Sequence, residues 1–524
     1  MTSQNQQLQG PSPVDRPTKH SGTNNSSWTI TQPIRTNSLP PQQSSLLEQK
    51  DPVWVTPTRP MPASHYQRVV PAAPLTAASP LPTHDFSHPL PVNSPVQTFP
   101  LKHHRLRTVF ILFMLMLALL VALSAVLGPN LFAKVPGTTS NSLSPLGASG
   151  PFVKAPLNAD QMNAIMHLTG YTKYKQLASI FVSHMTLDEE LGQLIMVEYA
   201  DTRYSSDLDT MINKLHAGGV IMYEFQMNTF DQTKQDIAEM QQRSNIPLLI
   251  STDEEGGQYV HRLSHIYGYR MSATGIYNTA NPQVATQQGH KAAHDLLALG
   301  INENLAPDVD VNLVNGYDMV TRTFGNTPQS VISYAGAYMK ALQGDGVVAC
   351  IKHYPGLGDA TPDAHTTLPI VNRTRDQIYS VELAPFKAFI QSPDKLLNPG
   401  MIMPTDVLMP AIDPVYPAEL SHIFMTDILR KQFGYDGVVL TDALYMQGIT
   451  QKWNMYQAAV MALNVGNDLL LGPTGADQML ATIDAMKAAL QNGTLSKARV
   501  DEAATRIIAL KMQDHLMPAL LPQG

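Results

Sequence analysis

The sequence is poor in cysteine: one residue, Cys350, in 524, so no intramolecular disulfide can staple the fold. Its place in the apolar run VVACI predicts a buried strand residue rather than a reactive thiol. Basic blocks are also missing. The formal net charge is -7, and no Lys/Arg cluster occurs beyond residue 130, which argues against a nucleic-acid partner. Nothing of the form G-x-G-x-x-G or G-x-x-x-x-G-K-[ST] follows the first strand candidate, so a nucleotide-binding sheet loses its main support. There is no H-E-x-x-H or other compact ligand set, and neither a metal nor a cofactor is expected.

Residues 1–107 lack hydrophobic periodicity and are rich in Pro, Ser, Thr, Gln and Asn. Such a segment cannot bury enough apolar surface to offset its ordering entropy, which predicts a disordered tail. Residues 108–127, TVFILFMLMLALLVALSAVL, contain no charge and have the ~20-residue length of a membrane-crossing helix. Lys102, Arg105 and Arg107 precede this run, whereas Lys134 alone follows closely. That bias predicts a single-pass membrane protein whose tail is cytoplasmic and whose remaining chain is exported. Residues 128–157 read as a flexible stalk, and 158–524 as the folded domain.

The folded part alternates helical patterns with short apolar runs. The strand candidates span 192–199, 218–224, 247–253, 301–308, 347–353, 400–406, 437–442 and 468–473. In the helical stretch after the third, Ala292, Leu296 and Leu299 share one face at i, i+4, i+7. Strand–helix units repeated in this way predict a (β/α)8 TIM-like barrel, a fold that needs about 250 residues and often carries long loops. A doubly wound open sheet is the structural alternative.

Asp253, Lys352, His353, Asp406 and Asp442 each close a predicted strand. In a barrel those C-terminal ends form one rim, where active sites are built. The stretch KHYPGLGDATPDAH adds Asp363-x-His365 on a loop without an evident apolar anchor. In extended backbone the two side chains share a face, so the carboxylate can fix the imidazole tautomer and raise its basicity. A carboxylate nucleophile opposite a general acid is the minimum equipment for retaining glycoside hydrolysis.

With these motifs in place, residues ~160–515 resemble glycoside hydrolase family 3, in particular its bacterial β-N-acetylglucosaminidase (β-hexosaminidase) branch. The segments HMTLDEELGQLIMV, PLLISTDEEGG, LGINENLAPDVDVN, TRTFG, KHYPGLGDATPDAH and FGYDGVVLTDALYMQGI occur in family order. The resemblance implies Asp442 as nucleophile and His365 as acid/base, supported by Asp363. It implies sugar contacts from Asp253, Arg262, Arg322, Lys352 and His353. Asp310 fits the family as a residue that holds the rim together. Many two-domain relatives take their acid from a second domain, whereas only ~80 residues follow Asp442 here, pointing to the histidine loop.

The chain departs from the family pattern at several positions. Leu357 and Ala364 stand where a histidine and a hydroxyl residue are usual, Ala443 replaces an acid, and Asp406 replaces a histidine. The segment DEEGGQYVHRL is one residue longer than usual. Glu254 and Glu255 are weighed as acids, the first against a solvated turn and the second against a carboxylate bonded to the Gly256-Gly257 backbone. Gly356, Gly358 and Pro362 are candidate hinges. The expectation is a membrane-anchored retaining enzyme removing terminal β-GlcNAc from peptidoglycan fragments or chitin-type oligosaccharides. A β-glucosidase or β-xylosidase of the same family, and a silent carbohydrate-binding wall protein, are the alternatives.

Overall fold

The computed structural model describes residues 168–517 except 315, 317, 318 and 362–366. The tail, the apolar run 108–127 and the Asp363-x-His365 pair therefore lie outside the described residues. Among the described residues no helix is long and apolar enough to cross a membrane.

Eight parallel strands close into a barrel. In chain order they are β1 (Ile195–Glu198), β2 (Gly219–Ile221), β3 (Leu249–Thr252), β6 (Glu303–Asn304), β7 (Val348–Tyr354), β8 (Met401–Pro404), β9 (Val438–Ala443) and β10 (Leu469–Thr474). Between β3 and β6 lies a small antiparallel hairpin, β4 (Glu254–Gly256) with β5 (Val260–His261). Each of the eight apolar runs expected to form a strand coincides with one, three of which extend one residue past the run. Their interiors are buried on both faces, the pattern of parallel strands covered by helices.

The shortest barrel strand, β6, is extended by its asparagines. Asn302 Oδ1 accepts from Ile250 N at 2.9 Å, and its amide donates to Leu248 O at 3.0 Å. Asn304 does the same for Glu254 N and O, both at 3.0 Å. Side-chain amides thus continue the ladder where the backbone pairing ends, and they fix the segment Asp253–Glu255 at the rim.

Helix boundaries follow from local chemistry. Helix Pro282–Leu299 starts with an Asn281 cap and proline in its first turn, and ends at left-handed Gly300. Its Ala292, Leu296 and Leu299 are fully buried, as their spacing predicts. Cys350 is buried in β7.

Candidate active site

The C-terminal strand ends carry a continuous charged network. Asp253, just after β3, is half-buried, and Lys352 in β7 donates to its Oδ1 at 2.6 Å. The same ammonium lies 2.8 Å from Glu255 Oε1. Arg322 grips Glu255 with two parallel bonds, Nε to Oε2 and Nη2 to Oε1, both 2.8 Å. Arg322 Nη2 also reaches His353 Nε2 at 3.2 Å. On the other side of that ring, Nδ1 meets Asp310 Oδ2 at 2.7 Å. This pattern makes Nδ1 the proton-bearing nitrogen and Nε2 an acceptor.

The electrostatics follow from who faces whom. Burial pushes the Asp253 carboxyl up, but Lys352 and then Arg262 outweigh it and hold the group below its ordinary range. Glu255 is likewise buried, and Arg322 with Lys352 bring it well below the usual carboxylate range. Burial would lower Lys352, yet Asp253 and Glu255 hold it above the ordinary lysine range. Asp308 moves the opposite way: burial first, then neighbouring Asp310, push it well up. Its Oδ1 accepts from Asp310 N at 2.8 Å, while Oδ2 has no hydrogen-bond partner. Among the described residues Asp308, Asp310 and His353 are grouped closely enough for a metal. Here, however, Asp310 occupies one imidazole nitrogen and the Arg322 cation the other.

Arg262 reaches this network from the turn after β5. Its guanidinium lies over the Tyr223 ring at 5.7 Å and pairs with Glu224 at 3.2 Å. Burial lowers its proton affinity, but Asp253 and then Glu224 more than offset that. The structure thus brings together Asp253, Arg262, Arg322, Lys352 and His353. The DEEGGQYVHRL segment folds as the β4–β5 hairpin, which sequence reading did not foresee.

Two expectations about the adjacent acids are corrected. Glu254 is no solvated turn residue: it is fully buried, accepting from Arg270 Nε and Leu263 N at 3.0 Å each and lying 2.6 Å from His261 Nδ1. Glu255 is buried as expected, but its partners are Arg322 and Lys352 rather than the glycine backbone. Residues far apart in the chain supply these cations, so local sequence could not reveal them.

The loop after β7 is also better anchored than its composition suggests. Leu357 is buried, and its N–H donates to Asp310 Oδ1 at 2.6 Å. Asp310 therefore holds both the imidazole and the loop base, the structural role expected for it. Gly356 and Gly358, named as candidate hinges, are closely packed positions. A Cβ on Gly358 would lie 1.9 Å from Val311 O, and one on Gly356 2.7 Å from Glu382 Cβ. Pro362 lies outside the described residues.

Asp442 sits half-buried near the end of β9. Ala443 N donates to its Oδ1 at 2.8 Å, and Thr405 Oγ1 donates to its Oδ2 at 2.8 Å. One hydrogen bond to each oxygen orients the carboxylate. Asp406, expected on the rim, follows β8 but is fully buried, near equally buried Glu419. Burial pushes Glu419 well up, reinforced by Asp406 and Asp442. Asp406 is thus enclosed rather than open to a ligand.

A further rim carboxylate escaped sequence reading. Glu198 closes β1 and is 8% exposed. Tyr223 and Tyr445 hydroxyls donate to its Oε1 at 2.9 and 3.1 Å, and Thr474 Oγ1 to its Oε2 at 3.2 Å. Burial raises its proton affinity, and the three hydroxyls partly offset this. The strand-end rule that selected Asp253 and Asp442 would have found it.

The family model for the glycosyl hydrolase family 3 N-terminal domain matches residues 186–510, from before β1 to the last helix. The chain belongs to glycosyl hydrolase family 3. Beta-hexosaminidase A of Pseudoalteromonas piscicida is 30% identical, over 62% of this chain and 61% of that one. Beta-hexosaminidase LpqI of Mycobacterium tuberculosis is 28% identical, over 62% and 82%. Among solved structures, a family 3 β-N-acetylglucosaminidase from Paenibacillus sp. str. FPU-7 matches with a TM-score of 0.58 and 34% identity. That match covers 63% of each chain. A β-N-acetylhexosaminidase from Beutenbergia cavernae gives 0.56 and 28%, covering 62% of this chain and 98% of that one. The chain thus spans about three fifths of the length of the first relative and of the Paenibacillus enzyme.

Proposed function

We propose that this family 3 member is a retaining β-N-acetylglucosaminidase that removes terminal β-GlcNAc from peptidoglycan fragments or chitin-type oligosaccharides. The observation that carries the reading is Asp442, oriented by one hydrogen bond to each oxygen on a rim that also holds the Asp253–Lys352–Glu255–Arg322–His353 network. The β-hexosaminidase and β-N-acetylglucosaminidase relatives favour the N-acetylated sugar over glucose.

In the first step an Asp442 oxygen forms a bond to the anomeric carbon as the glycosidic C–O bond breaks. His365 gives its proton to the leaving oxygen. In the second, water attacks the aspartyl-glycosyl ester, its proton passes to His365, and the Asp442 carboxylate is released. An imidazole titrating near neutrality suits both halves, and Asp363 would orient it. The Asp253 carboxylate and the cations Lys352 and Arg322 offer one acceptor and several donors to sugar hydroxyls. Their mutual pairing keeps them ordered before substrate arrives. The 108–127 run supports membrane anchoring, with the barrel outside the cytoplasm.

The test compares aryl β-GlcNAc with aryl β-glucoside, using the full chain in detergent. The reading expects GlcNAc turnover, reduced to background in Asp442→Asn and by about 10²–10⁴-fold in His365→Ala. Trapping with a 5-fluoro-GlcNAc donor should add one sugar mass to the peptide that carries Asp442. Preference for the glucoside would instead point to the β-glucosidase alternative. An unlabelled Asp442 peptide in an enzyme inactivated by the donor would remove the covalent step.

A further inference from the structure

We infer that Tyr445, tethered by Glu198, is a platform for the second sugar ring, the one that leaves with the cleaved oxygen. Resting on the glycosidase reading above, this assigns a named side chain to the leaving pyranose of the β-linked oligosaccharides proposed there.

Tyr445 lies three residues after Asp442, in the turn where Met446 N donates to Ala443 O at 2.9 Å. The residue remains 45% exposed, although its hydroxyl is bound to Glu198 Oε1. Glu198 in turn is fixed by Tyr223, just after β2, and by Thr474 of β10. Strands β9, β10, β1 and β2 are neighbours in that order around the barrel. The tether therefore spans one continuous arc of the rim, beginning at the nucleophile's strand.

A tyrosine that merely tied a loop down would gain most by burying its ring as well as its hydroxyl. This one ties its polar end to a buried carboxylate while the residue as a whole stays 45% exposed. A free aromatic ring in a turn would lose rotamer entropy on meeting a ligand. A ring already held by its hydroxyl has lost much of that freedom beforehand. The apolar C–H face of a pyranose suits such a surface. Glu198 Oε2 accepts from Thr474 alone among the hydrogen bonds described, leaving it capacity to accept from a sugar hydroxyl. Beyond Tyr223, Phe225 stacks at 6.4 Å and is 44% exposed, which continues the aromatic wall.

The experiment measures kcat/KM of the full chain on N,N′-diacetylchitobiose and on the β-fluoride of N-acetylglucosamine, whose leaving group has no ring. Tyr445→Ala should lower the disaccharide value by roughly 3–10-fold, mainly through KM, and leave the fluoride within about two-fold. Tyr445→Phe, which keeps the ring but not the tether, should fall between wild type and Tyr445→Ala on the disaccharide. A Tyr445→Leu variant keeps bulk without a flat face. It serves the same comparison if melting curves show that Tyr445→Ala does not fold, and it should reproduce the disaccharide loss. Equal losses on both substrates, or a Leu variant as good as wild type on the disaccharide, would overturn the platform and leave the proposed activity standing. A wild-type chain that cleaves neither substrate removes both readings.

Discussion

The two ends of the barrel each hold a buried charge cluster, and they are built on opposite principles. At the N-terminal end Asp468, just before β10, is surrounded by three arginines. Arg430, Arg499 and Arg506 all bind its carboxylate, the last two at 2.6 and 3.2 Å, and Val439 N donates to it at 3.1 Å. Both carboxylate oxygens are saturated by partners that tie β9, β10 and helix Lys497–Gln513 together. At the C-terminal rim Asp253, Glu255, Asp308 and Asp310 face Lys352 and Arg322, with His353 between them. There acids outnumber fixed cations, Asp253 and Asp442 stay partly exposed, and one oxygen of Asp308 lacks a hydrogen-bond partner. The base spends its hydrogen-bonding capacity on itself, whereas the rim keeps some of it for a ligand.

That contrast predicts separable effects. The largest belongs to the rim: Asp442→Asn should abolish turnover while the thermal midpoint stays close to wild type, because one of two local hydrogen bonds comes from a flexible hydroxyl. A drop in midpoint matching the loss of activity would break the comparison. Lys352→Met should do both kinds of damage. It leaves Asp253 and Glu255 with one cation fewer, so kcat/KM should fall steeply and stability with it, as measured by steady-state kinetics beside denaturant unfolding.

At the base, Asp468→Asn should cost about 3–5 kcal/mol in denaturant unfolding, because three buried arginines lose their anion. KM of the folded fraction should not change. A KM effect would mean that the two ends communicate.

A smaller effect is pH-dependent. Burial alone would raise Asp468, but its arginines dominate and bring it from 3.8 down to about 2. A depressed folded-state pKa contributes stability that is present above pH 3.8 and is lost as pH falls towards 2. The shift corresponds to about 2 kcal/mol. Acid unfolding curves should show this slope in the wild type and lack it in Asp468→Asn.

The smallest expected change lies between the two ends. Glu303 of β6 is fully buried, and burial raises it to about 8, with Lys511 opposing and Asp253 reinforcing the shift. A raised carboxyl favours the fold below pH 4.5, and that advantage is lost as pH rises towards 8. Glu303→Gln should therefore raise the unfolding midpoint at pH 8 and leave it nearly unchanged at pH 4. A Glu303→Gln protein less stable at pH 8 would show that the ionised form has a partner worth keeping.

The sequence by itself determined the parallel barrel, because strands buried on both faces must read as continuous apolar runs, and eight such runs alternate with amphipathic helices. It also determined which residues close those runs, so Asp253, Lys352, His353 and Asp442 could be placed on one rim before any coordinates. What it could not determine was pairing across the barrel. Arg322 meets Glu255 over 67 positions, Lys352 meets Asp253 over 99, and Tyr445 meets Glu198 over 247. Local pattern carries no record of such distances, because closure of the barrel alone brings those strand ends together. For the same reason Glu254 could be misjudged: a carboxylate beside a turn reads as solvated until the cations and backbone around it are known. Burial in a polypeptide is a property of the assembled layers, and only the tertiary structure decided which acids were enclosed and which were left open to a substrate.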